Sequence, residues 1–366
     1  MLRRFLPLLL ALLLAVASSG CGFKDIDRRF FVVGIGIDGI DQGKKRFRIT
    51  LRLAIPSSHN ENGAKKSQVI TQDAESVTEA VRLIKSRVNK ELDFGYAKVI
   101  VLGKNIIQRD LRDTLDWMIR RRDIQMIAWM AVGDPSAEAV LKLKTSSERL
   151  AGNALMLSFG RTGVESGYIV SQYLFDFYRK TRELGLDPVL PIVQATKSGY
   201  AINTAVVFNK HSAQMYLTRD ETRIFNVTYG SISKVEVEAP MGDEHLYASI
   251  DKVNMSFKVR TPPGKRPYAQ LKLYTDGLLE ESSVVTTPQQ LSEYEEIIRK
   301  TGETRITQLL QKFQQANLDP IGFGLDYRAR HFQSLDEEWR NWQQIYPQLE
   351  FRIDYTVKLK NTGVVR

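Results

Sequence analysis

The sequence predicts an α+β protein of more than one domain, with mixed or antiparallel β-sheets flanked by α-helices. Three observations carry this expectation. In "RFRITLRLAIP", Phe47, Ile49, Leu51 and Leu53 alternate with Arg48, Thr50 and Arg52, and "EFRIDYTVKLK" repeats the pattern from Phe351 to Leu359. Period-two alternation marks strands with one face buried and one wet. Val77, Val81, Ile84 and Val88 recur instead at helical spacing. Strands and helices interleave through the first half in the order β-β-α-β-α-β-α, and 366 residues leave room for about two or three domains.

The chain opens with "MLRRFLPLLLALLLAVASSGC". Arg3 and Arg4 precede an apolar run from Phe5 to Ala17. That run is shorter than the roughly 20 residues a membrane span needs, so it reads as a secretory signal. Ser19 and Gly20 stand directly before Cys21, the single cysteine of the chain. Small residues before a cysteine resemble a bacterial lipobox, in which the thiol accepts a diacylglyceryl group and the cysteine becomes the new N-terminus. Cys21 is therefore the expected lipidation site. Two or three acyl chains hold a protein durably, at about 0.8 kcal/mol per buried methylene.

Next comes "RRFFVVGIGIDGIDQGKK". Gly34, Gly36 and Gly39 spell G-x-G-x-x-G, the outline of a dinucleotide-binding turn. Such a turn must open a helix, whereas a strand follows here. Phe30–Asp38 and Lys45–Ile55 read as a β-hairpin, with glycines that serve a bulge or a close backbone approach. After the polar loop "PSSHNENGAKKS", Ser76-x-x-Glu79 forms a capping box and a helix runs to about Glu91. "GYAKVIVLG" and "DIQMIAWMAVG" read as buried strands. Ile107, Leu111, Leu115 and Met118 mark a helix between them, and "PSAEAVLKLK" a short helix after.

"VESGYIVSQYLFDFYRKTRELG" reads as one helix, rich in aromatics from Tyr168 to Tyr178. "GLDPVLPIVQATKSGY", with its prolines and glycines, reads as a linker. Beyond it come strands in "AINTAVVFN", "SAQMYLT", "NMSFKVR" and "AQLKLY". A long helix from about Pro288 to Ala316, interrupted at Gly302, and two shorter helical pieces lead to the last strand. The expected division is a signal peptide over 1–20, an N-terminal α+β region over 21–197 and a C-terminal α+β domain over 198–366.

Chemistry is sparse. One cysteine excludes an intramolecular disulfide and a cysteine-rich metal site. His59, His211, His245 and His331 are not paired at ligand spacing. No phosphate loop, zinc helix or nucleophile elbow occurs. The carboxylates of "RDETR" and "LDEEW" belong to charged helix surfaces. The net charge of +10 suits an anionic lipid surface, and "IRRRD", Arg120 to Arg122, is its densest cluster. No aromatic–basic motif for nucleic acid appears. No catalytic residue, cofactor or metal is expected.

Several segments together resemble the Ger(x)C family, the lipoprotein C subunits of spore germinant receptors. They are Cys21; "VVGIGID", Val32 to Asp38; "GYAKVIVLGK", with Gly95, Lys98 and Gly103; "AWMAVGDPSAEAVL"; and "AVVFN". "NLDPIGFGLDY" follows with Asp319, Gly322, Phe323 and Gly324, then Trp339, Trp342 and the final strand before Gly363. The resemblance spans essentially the whole chain after the signal. It implies a non-catalytic subunit held on the outer face of the spore inner membrane through acylated Cys21. It also implies membrane-embedded A and B subunits as partners in converting a nutrient signal into germination. Partner interfaces are sought first among the aromatics of Tyr168–Tyr178 and at "GFG". The competing reading is a solute-binding lipoprotein of a membrane transporter. Such proteins are usually two-lobed folds with parallel sheets, against which the alternating strands count.

Overall fold

The computed structural model describes residues 28–54, 67–144, 153–160, 166–230, 232, 234–241, 244–281, 288–331 and 334–360. The signal segment and Cys21 lie outside the described residues.

The first sheet grows from the hairpin that the alternation predicts. β1 (Arg29–Gln42) and β2 (Lys45–Ala54) pair antiparallel around a turn at Gly43, whose φ of 62° suits glycine. β3 (Ser67–Ala74) pairs antiparallel with β2. It was hidden in the sequence because its residues are mostly polar and half-buried, as an edge position allows. α1 (Val77–Arg87) starts at Ser76, whose hydroxyl accepts from Glu79 N at 3.1 Å. It ends before Glu91, which opens the short strand β4 (Glu91–Asp93) beside the start of β1.

β5 (Val99–Gly103), β6 (Trp129–Asp134) and β7 (Val189–Thr196) join β1 in a parallel block, and β8 (Gly199–Phe208) and β9 (Ala213–Leu217) complete the sheet antiparallel. The spatial order is β3-β2-β1-β5-β6-β7-β8-β9. α2 (Arg112–Arg120), α3 (Ala137–Lys142), α4 (Asn153–Phe159) and α5 (Leu174–Arg182) cross between or beside these strands.

Two expectations fail in this region. The stretch read as a linker is β7, and it is buried along most of its length. Its prolines misled: Pro191 sits in a strand of the sheet interior and reads locally as a breaker. The aromatic segment is helical only from Leu174. Before that, Tyr173 bridges to Trp129, and Met130 N donates to Gln172 O at 2.8 Å, so pairing with β6 takes the backbone groups that a helix would use.

The second sheet has the order β10 (Val235–Met241), β11 (Glu244–Arg260), β12 (Tyr268–Glu281), β13 (Glu350–Lys360), with β13 parallel to β12 and the other pairs antiparallel. α6 (Arg219–Tyr229) leads in from β9, capped reciprocally by Thr218 and Glu221 and closed by Gly230 at φ 69°. α7 (Pro288–Gln315) lays Tyr294, Ile298, Ile306, Leu309 and Phe313 into the core over this sheet. It is not interrupted at Gly302. A Cβ there would stand 2.4 Å from the Tyr355 ring, so the glycine lets the helix approach β13. α8 (Phe323–Arg328) and α9 (Leu335–Ile345) close the end of this layer. The boundary expected at 197–198 falls in the turn between β7 and β8, inside the first sheet.

Candidate functional site: a buried junction

Two groups of residues singled out in the sequence acquire a geometry. The first is "VVGIGID". Built Cβ atoms on Gly34 and Gly36 would lie 3.0 and 2.9 Å from Leu141, so these glycines let α3 lie directly on β1. Asp38, buried, aims its carboxylate at the start of α3. Ala137 N donates to Oδ1 at 2.8 Å and Glu138 N to Oδ2 at 2.9 Å. Burial raises the Asp38 pKa, and the two N–H donors pull the other way. Gly103 leaves room for this carboxylate, since a Cβ there would overlap Asp38 Oδ1. The G-x-G-x-x-G pattern thus seats a helix on a strand, and its carboxylate neighbour satisfies the helix N–H groups.

The second group is "NLDPIGFGLDY", which lies between α7 and α8. Asp319 is buried, and its carboxylate accepts from three backbone donors: Gly322 N at 2.8 Å, Phe323 N at 3.1 Å and Gly324 N at 2.7 Å. Its own backbone reaches the first sheet. Asp319 N donates to Asp187 Oδ2 at 2.7 Å, and Asp187 N donates to Asp319 O at 2.8 Å. Lys210 Nζ pairs with Asp187 Oδ1 at 2.9 Å and donates to the Leu186 and Lys180 carbonyls.

Gly185, at φ 84°, meets Gly324 backbone to backbone. A Cβ on Gly324 would lie 2.5 Å from Gly185 Cα and 2.7 Å from Trp342 Nε1. Arg328 then ties Glu183 at 2.8 Å and Leu184 O at 2.7 Å to Glu338 at 3.1 Å. Burial pushes the Asp319 carboxyl up to about 7, with Asp187 adding to the rise and the three N–H donors opposing it. The junction joins two layers. Asp319 at its centre is buried, while Glu183 and Lys210 at its margin are partly exposed.

Other candidates take structural places. "GFG" was expected at a partner-facing surface, but Phe323 and Gly324 are buried, so this segment is an internal clasp. The expected aromatics divide. Phe177 is core, edge-on to Phe208 at 5.3 Å, and Tyr168 lies under Arg223 between the layers. Phe175 is exposed. In "RDETR", Asp220 pairs with Arg223, and Glu221 caps α6 and pairs with Lys312 at 2.6 Å. In "LDEEW", Glu337 caps α9 and Glu338 binds Arg328. His245 lies 2.8 Å from Glu238.

Among the described residues, no group of three or more His, Cys, Asp or Glu is placed to hold a metal ion, and no helix is long and apolar enough to cross a membrane. A cleft lined by Val227, Val237, Ile298, Ile306 and Tyr355 encloses about 50 Å³. That is small beside the roughly 300–1,000 Å³ of a typical ligand pocket; an open groove over Asn254, Ser256, Lys272, Tyr274 and Asp354 on the second sheet holds about 320 Å³. Asp187 and Gly185 were missed as site residues because they sat in the stretch read as a linker. The signal that could have found them was a glycine and an aspartate placed directly before a buried strand.

Fold and junction define a multi-domain α+β protein whose two mixed sheets are clasped by a buried carboxylate. Residues 22–195 match the family described as "Spore germination protein N-terminal domain", and residues 203–363 match "Spore germination B3/ GerAC like, C-terminal". The chain belongs to this GerAC family of spore germination proteins. Spore germination protein GerQC of Bacillus cereus is 20% identical over 362 residues, covering 97% of this chain and 98% of that protein. Spore germination protein KC of Bacillus subtilis (strain 168) is 21% identical over 399 residues, covering 100% of this chain and 97% of that protein. The crystal structure of the GerBC protein shares the fold, with a TM-score of 0.60 at 18% identity over 92% of this chain and 99% of that one.

Proposed function

We propose that this chain is a lipid-anchored, non-catalytic subunit of a spore nutrient germinant receptor, acting with the membrane-embedded A and B subunits in germination. The observation that carries the reading is the family match across both halves of the chain, 22–195 and 203–363. The first match begins at residue 22, directly after Cys21. The anchor is Cys21, acylated after removal of residues 1–20, and the protein sits on the outer face of the spore inner membrane. Residues 21–197 and 198–366 act as its two regions. No cofactor and no nucleic acid enters this role.

Two experiments test it. Cys21→Ala is expected to leave the precursor unprocessed or release the protein from the membrane; normal acylation and retention overturn the anchor. Gentle solubilisation of spore membranes is expected to co-purify two integral membrane proteins with this chain. Isolation alone, together with unchanged nutrient responses after deletion, overturns the receptor role.

A further inference from the structure

β1, β5 and β6 run parallel and point their N-terminal ends to one edge of the first sheet: β5 and β6 begin level with Gly34, five residues into β1. That edge carries a concentration of exposed apolar side chains. Ile127 is 60% exposed, Tyr96 51%, Phe175 44% and Met126 37%. They are tied to the sheet by short links. Tyr96 packs on Phe31 with ring centroids 4.5 Å apart. Phe175 N donates to Met126 O at 2.9 Å, and Trp129, Tyr173 and Phe175 stack in sequence at 3.8 and 5.8 Å.

Cations surround these side chains. Arg28, Lys98 and Arg122 are exposed, and Lys90 lies over the Phe30 ring at 5.6 Å. Arg29 and Arg121 pair with Asp93 and Asp123. Glu91 and Asp123 are exposed acids in the same segments.

The position of this edge follows from the chain. The stretch from Cys21 to Arg28 reaches at most about 25 Å when fully extended. β1 then carries the chain away over 14 residues, placing the Gln42 end about 45 Å further off. An anchor at Cys21 therefore leaves the Tyr96–Ile127 edge within reach of the lipid headgroups, with the β1–β2 turn at the opposite end of β1.

We propose that this edge is a membrane-contact face: Ile127, Met126, Tyr96 and Phe175 enter the interface of an anionic bilayer, and Lys98 and Arg122 bind its headgroups. The proposal rests on the lipid-anchor reading of Cys21. Apolar side chains flanked by cations are what an anionic interface attracts, and aromatic rings with a polar tip suit the headgroup level. The contact gives the anchored chain a fixed orientation, with the second sheet attached to the far strands of the first.

The test uses the full acylated chain in vesicles. Acylation consumes the Cys21 thiol, so Ile127→Cys supplies a single thiol for a polarity-sensitive dye, and Lys44→Cys is the distant control. In phosphatidylglycerol vesicles the emission at position 127 is expected to shift to the blue while that at 44 stays water-like; in phosphatidylcholine vesicles the shift at 127 is expected to shrink. Arg122→Ser with Lys98→Ser is expected to reduce the shift in phosphatidylglycerol. A water-like dye at 127 on protein whose mass shows the acylated cysteine overturns the contact face and leaves the anchor standing. Absence of the acyl mass overturns the anchor reading itself. Shielding at 127 that arises only when integral membrane subunits are present overturns the lipid as occupant.

Discussion

Asp187 and Asp319 exchange hydrogen bonds across the two layers: the Asp319 N–H reaches Asp187 Oδ2 at 2.7 Å, and the Asp187 N–H reaches the Asp319 carbonyl at 2.8 Å. Two aspartates sit side by side because each is offset by donors. Asp187 has Lys210, and Asp319 has the N–H groups of Gly322, Phe323 and Gly324. This pair ties the layers beside the links from Arg328 to Glu183 and Leu184.

Asp319→Asn is expected to destabilise the chain. One carboxylate oxygen becomes an NH₂ group, which faces an N–H donor whichever way the amide turns. A buried donor left without an acceptor costs about 1–3 kcal/mol. Urea unfolding checks this: the midpoint falls, and proteolysis between the layers accelerates. An unchanged midpoint contradicts the role given to the carboxylate.

The same residue sets a pH dependence. Burial pushes the Asp319 carboxyl up to about 7 in the folded chain, against an ordinary value of 3.8. A carboxyl raised on folding holds its proton more tightly in the native state. Its contribution is therefore complete below about pH 4 and is lost as pH rises through about 7, at up to about 1.4 kcal/mol per pH unit. The wild-type urea midpoint is expected to fall between pH 4 and 7 more steeply than that of Asp319→Asn. Parallel curves refute the assignment.

Gly36→Ala is expected to lower stability by about 1–3 kcal/mol through overpacking. The added methyl would stand 2.9 Å from Leu141, 3.2 Å from Ala137 and 3.3 Å from Thr50. Thermal unfolding reads the loss. A wild-type melting temperature would show that α3 does not rest on this strand as described.

Gly302→Ala pits two effects against each other. Alanine favours a helix interior by about 1 kcal/mol. The methyl would meet the buried Tyr355 ring at 2.4 Å, and Tyr355 is held by Thr275 Oγ1 at 3.1 Å. Overpacking of about 1–3 kcal/mol wins, so the variant is expected to be less stable. Tyr355→Leu is expected to couple with it in a double-mutant cycle; additive losses count against the contact.

The parts of the fold legible in the sequence were those with strong local patterns. The β1–β2 hairpin, α1 from Ser76 and the last strand follow from apolar periods of 2 and 3.6, which reflect how side chains leave a strand or a helix. Rejection of a dinucleotide turn also followed locally, because a strand and not a helix succeeds Gly39. Membership of the germination family was legible in the order of "VVGIGID", "GYAKVIVLGK" and "NLDPIGFGLDY", and the family matches bear it out.

By itself, then, the sequence determined the α+β class, the main strands and helices, and the family. Tertiary structure alone decided what the special residues do. β3 and β7 are strands because neighbouring strands supply their hydrogen-bond partners, despite polar residues in one and a proline in the other. Gln172 and Tyr173 pair with β6 for the same reason. Gly185 and Gly324 matter because two backbones from distant parts of the chain touch there. Asp319 is a clasp and "GFG" is no outer surface because burial depends on what packs above a residue. Local pattern reports which face of an element is apolar; which element covers that face is fixed by contacts 132 positions apart, as between Asp187 and Asp319.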